Sequence, residues 1–167
     1  VPKILLFSDS HSHIEPKLHP YLESADEIWH AGDIGSMQVV EWMEEYNKPI
    51  RGVYGNIDFG ELKTRFPEDN IFQIEDVKVW MTHIGGYPGR YSSRVRSLFA
   101  EIQPLLFICG HSHMVKLEQD KKIGHWVFNP GAAGNHGFHQ VKTAISFDIN
   151  GNNITNVDVI NLGQRGG

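Results

Sequence analysis

The chain has 167 residues, of which 40% are apolar and 21% are charged, and this composition excludes an intrinsically disordered protein. The net charge of −5 argues against an extended nucleic-acid-binding surface, which would require a basic face. No apolar run approaches the roughly 18 residues that span a bilayer, and the opening VPKILLFSDSHSH is too short in its apolar part for a signal peptide. The single cysteine, Cys109, is typical of a reducing compartment, so we expect a cytoplasmic protein with one domain over residues 1–167.

The first third of the chain alternates short apolar runs with amphipathic segments. The runs predict strands at 3–8, 27–33 and 49–56, and the segments predict helices at 14–24 and 36–46. Ser36 is the expected N-cap of the second helix. This alternation is typical of parallel βαβ units.

The rest of the chain is richer in strands. Residues 70–86 predict two strands joined at Glu75 and Asp76, and 91–102 predict a helix that stops before Pro104. A buried strand is expected within 104–113, four further strands follow it, and the tail LGQRGG is expected to be loose. The predicted fold class is therefore α/β, with a βα-rich half packed on a β-rich half as two facing sheets.

Polar side chains that can bind a metal follow each strand that is expected to be buried. They are Asp9 and His11 in SDSHSH, Asp33 in HAGD, Asn56 in GNID, His83 in THIGG, and His111 and His113 in GHSH. The carboxyl ends of parallel strands meet at one edge of a sheet, where ligands bind in α/β folds. A hydrophobic core has no need for these residue types at successive strand ends, so the sequence predicts a metal site.

The donor types also restrict the metal. Two carboxylates, one amide oxygen and four imidazoles without a thiolate suit manganese, iron, zinc or nickel. Seven ligands exceed the needs of one ion and suit two ions about 3.5–4 Å apart that share a carboxylate. We expect two divalent ions, with manganese first and nickel, zinc, iron or magnesium as alternatives.

The order D-x-H, G-D, G-N, a lone His and G-H-x-H resembles the calcineurin-like metallophosphoesterase superfamily over residues 3–147. The small size resembles its compact bacterial and archaeal phosphodiesterase branch, which is related to the retromer subunit of vacuolar sorting. The resemblance implies two facing mixed β-sheets, a β-sandwich, flanked by helices. It also implies a phosphodiesterase that hydrolyses small phosphate esters by in-line attack of a metal-bridging hydroxide.

The resemblance further implies which residue does what. Asp9, His11 and His113 would bind one ion, Asn56, His83 and His111 the other, and Asp33 would bridge them. Asp33, Asn56 and His83 would also act in catalysis. The stretch NPGAAG resembles a family motif in which Ser usually stands where this chain has Ala132.

Ile57 departs from many relatives, in which a His follows Gly-Asn and assists the leaving group. A missing general acid typically costs about 10²- to 10⁴-fold, so we expect a preference for diesters or good leaving groups. Asp58 is counted among the catalytic residues in a supporting role, in which it would hold a ligand His or the Asn56 loop in place.

Other polar residues are left open. His13, His136 and His139 could face substrate or solvent, and His30 could orient a ligand or fill the core. Arg90 and Arg94 could meet phosphate or lie on a solvated loop.

A second function class also stays open: a non-catalytic or weakly catalytic protein-interaction scaffold that resembles the retromer subunit, which would not need all seven ligands. We expect no extended nucleic acid and no membrane as partners, and homo-oligomerisation is left open.

Overall fold

Ten strands and four helices form the molecule in a computed structural model that describes residues 1–167. The strands are β1 Lys3–Phe7, β2 Glu27–His30, β3 Ile50–Gly52, β4 Asp69–Ile74, β5 Val77–Thr82, β6 Leu106–Ile108, β7 Val115–Gln119, β8 Trp126–Pro130, β9 Val141–Asn150 and β10 Asn153–Gln164. The helices are α1 His19–Ser24, α2 Met37–Glu44, α3 Glu61–Arg65 and α4 Ser93–Ile102, and a 3-10 turn at Pro16–Leu18 precedes α1. None of these helices has the length and apolar character needed to cross a membrane.

The strands form two mixed five-stranded sheets. The first sheet has the order β10-β9-β1-β2-β3, in which β1, β2 and β3 are parallel and β9 and β10 are antiparallel additions. The second sheet has the order β4-β5-β6-β8-β7, with β5, β6 and β8 parallel. The expected two-sheet α/β architecture is therefore confirmed.

Three apolar layers hold the sheets and helices together. Ile4 and Leu6 of β1 lie in the layer between the two sheets, whereas Leu5 and Phe7 face the layer under α1 and α2. Trp80 of β5 packs in a third layer with α4. Because successive residues of a strand point to opposite faces, a strand covered on both sides is apolar at every buried position, as residues 4–7 of β1 are.

The strands are shorter than the sequence suggested at their carboxyl ends. β2 ends at His30 and β3 at Gly52, so HAGD and YGNID lie largely in turns that follow the strands. Helix α3, which no sequence pattern predicts, follows the turn after β3. Ser36 stands at the N-cap of α2 as expected, but its hydroxyl makes no capping hydrogen bond.

The expectation of a loose tail was wrong. β10 continues to Gln164, and Leu162 is fully buried. Beyond the strand, the main-chain N–H of Arg165 donates to Gln140 and that of Gly166 donates to Asn135 Oδ1. The buried Lys142 ammonium, paired with Glu15, donates to the main-chain oxygen of Gly167. The tail is therefore fixed by contacts distant in sequence, which a local reading of LGQRGG does not show.

Candidate metal centre

The seven predicted ligand residues lie together at one edge of the two sheets. Parallel strands β1, β2 and β3 deliver Asp9, His11, Asp33 and Asn56 from the first sheet, and β5 and β6 deliver His83, His111 and His113 from the second. Two groups of three donor atoms form there, each within 4.8 Å: Asp9, His11 and His113 in one, and Asp33, His83 and His111 in the other. The first group contains the three residues that the resemblance assigned to one ion, and the second joins His83 and His111 to Asp33. The two groups are candidate metal sites.

The side chain of Asp33 touches both groups. Its Oδ2 lies 3.4 Å from His11 Nε2 and 3.3 Å from His83 Nε2, while Ile57 N–H donates to its Oδ1. Asn56 completes the second group, because its Oδ1 lies 3.1 Å from His111 Nδ1. One carboxylate oxygen therefore points into the space between the two groups and the other is held by the chain.

Asp9 is oriented in the same way. Ser8 Oγ and His111 N–H donate to its Oδ2, at 2.6 and 3.1 Å, and its Oδ1 faces His113 Nε2 at 3.2 Å. His83 donates from Nδ1 to the carbonyl of Ala31 at 2.7 Å, which leaves Nε2 free to act as a ligand.

Several buried polar atoms of the centre have no hydrogen-bond partner. They include Asp9 Oδ1, His11 Nε2 and His83 Nε2. Buried polar groups are normally paired, because desolvation without a partner costs about 1–3 kcal/mol. Divalent cations, one in each group of donor atoms, would satisfy these atoms, so the donor set fits the metal ions that this fold family implies.

The backbone at the centre is unusual. Five of the seven ligand candidates adopt left-handed φ angles: Asp9 at 53°, His11 at 43°, Asp33 at 55°, His111 at 71° and His113 at 63°. Such residues cost on the order of 1–3 kcal/mol each and concentrate at functional sites. These left-handed residues turn the chain sharply after β1, β2 and β6, which brings polar side chains from different strands close together.

Glycines precede Asn56 and His111, at positions where any side chain would clash with a neighbouring turn. A Cβ on Gly55 would lie 2.1 Å from Asp33 Oδ1, and one on Gly110 would lie 2.7 Å from Asp9 Oδ2. The glycines of GNID and GHSH are therefore required by the close approach of neighbouring turns, which gives those short motifs a physical basis.

The ionisation states follow from burial and from the neighbouring charges. Burial alone would raise the pKa of Asp33, but the rings of His11 and His83 outweigh burial and lower that pKa well below its ordinary range. Burial alone would lower the pKa of His83, and Asp33 and Asp9 reverse the effect and raise it. Metal binding at His83 would release its proton, since only a neutral ring nitrogen coordinates.

His30 lies behind the centre and does not reach it. It is fully buried, accepts a hydrogen bond from Gly32 N–H at Nδ1, and pairs with Ser10 Oγ at 2.9 Å. Burial lowers the pKa of His30 to about 4, despite the opposing charge of Asp58. His30 therefore links the turn after β1 to the turn after β2 as a neutral ring.

A cleft of about 500 Å³ opens above the centre. Its floor includes His11, Asp33, Asn56, His111 and His113, and its walls include Ile57, Met114, His136, Phe138 and His139. The His136 ring stacks on His11 at 4.5 Å. His139 Nε2 donates to the carbonyl of Gly134, and its ring lies edge-on to His113. His136 and His139, whose roles the sequence left undecided, thus both border the cleft. Phe138 lies between them and was not predicted from the sequence, because a single aromatic residue in a glycine-rich loop forms no recognisable pattern.

The other open candidates are placed elsewhere. His13 Nε2 lies 3.7 Å from Glu15 and does not line the cleft. Arg94 borders a neighbouring groove of about 360 Å³ next to Asn56 and His83, but its guanidinium is paired with Asp69 and Glu68. Arg90 is exposed and lines neither space. Cys109 is buried, and burial raises its pKa to about 12, which excludes a reactive thiolate.

The protein-family model for the calcineurin-like phosphoesterase superfamily domain matches residues 3–152 of this chain. A phosphodiesterase of Methanocaldococcus jannaschii is 28% identical over 145 residues, with 77% of this chain and 82% of that protein covered. A probable metallophosphoesterase of Methanothermobacter thermautotrophicus is 26% identical over 132 residues, with 76% and 74% covered. The crystal structure of Vps29 from Entamoeba histolytica with Zn²⁺ superposes with a TM-score of 0.74 at 14% identity, covering 96% of this chain and 99% of that one. At that identity the likeness to Vps29 concerns the fold alone.

Proposed function

Because this chain belongs to the calcineurin-like phosphoesterase superfamily and is a metal-dependent phosphoester hydrolase, we propose that it is a phosphodiesterase that acts on small phosphate esters with two bound divalent ions. The observation that carries the proposal is the convergence of Asp9 Oδ1, His11 Nε2 and His83 Nε2, which are buried and lack hydrogen bonds, beneath one open cleft. The family resemblance seen in the motifs is confirmed.

The ligand assignment follows the two groups of donor atoms. Asp9, His11 and His113 would hold one ion, Asn56, His83 and His111 would hold the other, and Asp33 would be shared. Support for the shared role comes from the nearly equal distances of Asp33 Oδ2 to one histidine of each group. Donors of nitrogen and oxygen without sulfur favour manganese, with nickel, zinc, iron or magnesium as alternatives.

When bound, a pair of divalent ions supplies Lewis acidity, which lowers the pKa of water toward neutrality and offsets the charge of a phosphate. The chain's own residues position the reactants. Asn56 and His111 are the exposed members of the set and therefore face the substrate. Asp33 and His83, both buried, fix the geometry from below, and Asp58 holds the Asn56 turn.

Residue 57 supplies no proton to the leaving group. Ile57 lines the cleft, and its only polar contact is the main-chain N–H that donates to Asp33. Substrates whose leaving groups depart without protonation are therefore favoured, and the rate should fall steeply as the pKa of the leaving group rises.

The test is turnover by metal-stripped protein to which manganese, nickel, zinc or magnesium is added. Bis(4-nitrophenyl) phosphate should be hydrolysed with at least one metal, and faster than 4-nitrophenyl phosphate. Asp33→Asn should lower kcat by at least about 100-fold, because changes to groups that merely orient ligands already cost 10- to 100-fold. Asp120→Asn is the matched control, since Asp120 is also buried but lies at the opposite edge of the second sheet.

A scaffold remains the alternative function. If the protein binds no metal and turns over neither ester with any metal, the phosphodiesterase proposal is wrong and the scaffold replaces it. Cytoplasmic location and self-association stay predictions.

A further inference from the structure

The wall of the cleft above the candidate metal centre carries three exposed apolar side chains. Phe138 is 99% exposed, Met114 is 50% exposed and Ile57 is 38% exposed. They come from three different loops, after β8, after β6 and after β3. The other lining residues are polar or glycine. An apolar surface formed by three loops beside a metal centre offers contact to an apolar part of a substrate.

The charge of the cleft narrows the class of substrate further. No lysine or arginine lines it, and Asp33 is its only carboxylate. The nearest arginine in a neighbouring groove, Arg94, is engaged by Asp69 and Glu68. A second phosphate or carboxylate on the substrate would therefore be desolvated here without a cationic side chain to pair with it.

The loop that carries Phe138 is held in place, although the side chain itself is exposed. Arg165 Nε donates to the carbonyl of His139 at 2.8 Å, and Gly166 N–H donates to Asn135 Oδ1 at 2.7 Å. His139 Nε2 lies 2.8 Å from Gly134 O within the same loop. The main chain on either side of Phe138 is therefore held beside the centre, which lowers the entropic cost of ordering the loop on binding.

We propose that Phe138, Met114 and Ile57 form an apolar platform that binds an aromatic ester group of a substrate whose only anionic group is the scissile phosphate. The proposal rests on the phosphodiesterase function proposed above and specifies its substrate class. Phe138 provides a flat ring for stacking, and Met114 and Ile57 provide adaptable aliphatic contact. The platform determines specificity and takes no part in the chemistry of the bond that breaks.

The test measures binding of phosphonates to the manganese-loaded protein by calorimetry. Phenylphosphonate and methylphosphonate present the same anion with and without an aromatic ring. Phe138→Ser should weaken phenylphosphonate binding about 3- to 10-fold, the range expected from loss of one aromatic contact, and leave methylphosphonate unchanged. Phe138→Tyr keeps the ring and should retain the wild-type Kd. A carboxylate added at the far side of the ring, in 4-carboxyphenylphosphonate, should not tighten binding.

The control is Phe59→Ser, because Phe59 is 78% exposed close to the centre but does not line the cleft. Phe59→Ser should leave both dissociation constants unchanged. Equal effects of Phe138→Ser on the two phosphonates, no effect on either, or tighter binding of the carboxylated ligand would each overturn the platform. The readout is independent of turnover, so an inactive protein that still prefers phenylphosphonate would refute the phosphodiesterase proposal and leave the platform intact.

Discussion

At the scale of single residues, the buried Asp58 accepts three main-chain hydrogen bonds although it is not a candidate ligand. Its Oδ1 accepts from Gly35 N–H at 2.9 Å, and its Oδ2 accepts from Gly55 and Ile34 N–H at 2.8 and 3.1 Å. These bonds join the turn that carries Asp33 to the turn that carries Asn56. Asp58 contacts no candidate ligand histidine, so of the two roles suggested by the sequence only the one at the Asn56 loop has structural support.

We expect Asp58→Ala to weaken manganese binding about 10- to 100-fold, because three main-chain donors lose their shared acceptor and the two turns separate. Titration calorimetry of stripped protein measures the change. Asp76→Ala, at an exposed hairpin turn, is the control and should bind manganese as the wild type does. Unchanged metal affinity in Asp58→Ala would remove the positioning role.

The residues of the centre differ in how readily their roles can be recognised from the sequence alone. The ligand residue types could be recognised in the sequence because Asp, Asn and His at strand ends serve no packing purpose. Ser8 and Ser10, which orient Asp9 and His30, could not, because serine is common in turns and its partner is set by the tertiary fold. The preference for good leaving groups that follows from Ile57 stays a prediction.

At the scale of elements, the strands were predictable and their ends were not. Continuous apolar runs identify β1 and β6 because strands buried on both faces have no polar positions. Left-handed turns at their ends shorten the strands. Asp and His adopt this region more often than most residues do, but the preference is too weak to locate the turns from the sequence. Helix α3 has five residues, too few for a periodic signal.

The segment after β10 is the clearest case of an element ordered by distant contacts, and it acts on the 134–140 loop. Removing the Arg165 side chain deletes its hydrogen bond to the carbonyl of His139. In Arg165→Ala we expect faster amide hydrogen exchange in residues 134–140 and about 3-fold weaker phenylphosphonate binding, from the loss of one hydrogen bond of about 0.5–1.5 kcal/mol. Arg96→Ala, on the exposed face of α4, is the control and should change neither measurement. Exchange rates equal to those of the wild type would show that the bond does not order the loop.

At the scale of the whole molecule, the candidate centre destabilises the folded state of the metal-free chain. Five ligand positions have strained backbone and three donor atoms are buried without hydrogen bonds. Total stability of a domain is only about 5–15 kcal/mol, so these costs are a large fraction of it. The two sheets are tied together at this edge by the centre, because each group of donors takes residues from both sheets.

Manganese at about 100 times the Kd of one site should therefore stabilise the protein by about 2.7 kcal/mol and raise its Tm by roughly 5–10 °C. A thermal melt with and without a chelator measures the shift. Asp33→Asn, which weakens both sites, should show a smaller rise, whereas the control Asp120→Asn should show the full rise. A Tm that does not respond to any of the four metals would contradict a built metal centre.

The architecture of two facing sheets was predictable because the order of strands and helices admits few alternatives. That residues 1–167 form a single domain stays a prediction.

The attachment of the 134–140 loop to Arg165 and Gly166 affects how the protein should be prepared for the experiments above. An affinity tag fused after Gly167 would begin one residue from the anchor of the loop that presents Phe138, and it would compete with the Lys142 contact. The amino-terminal end of β1 lies at the opposite edge of the first sheet from Asp9, roughly 15–20 Å away along the strand. Tags placed before Val1 therefore leave the cleft in its native form, and substrate preferences measured with carboxyl-terminal fusions would report the fusion as well as the enzyme.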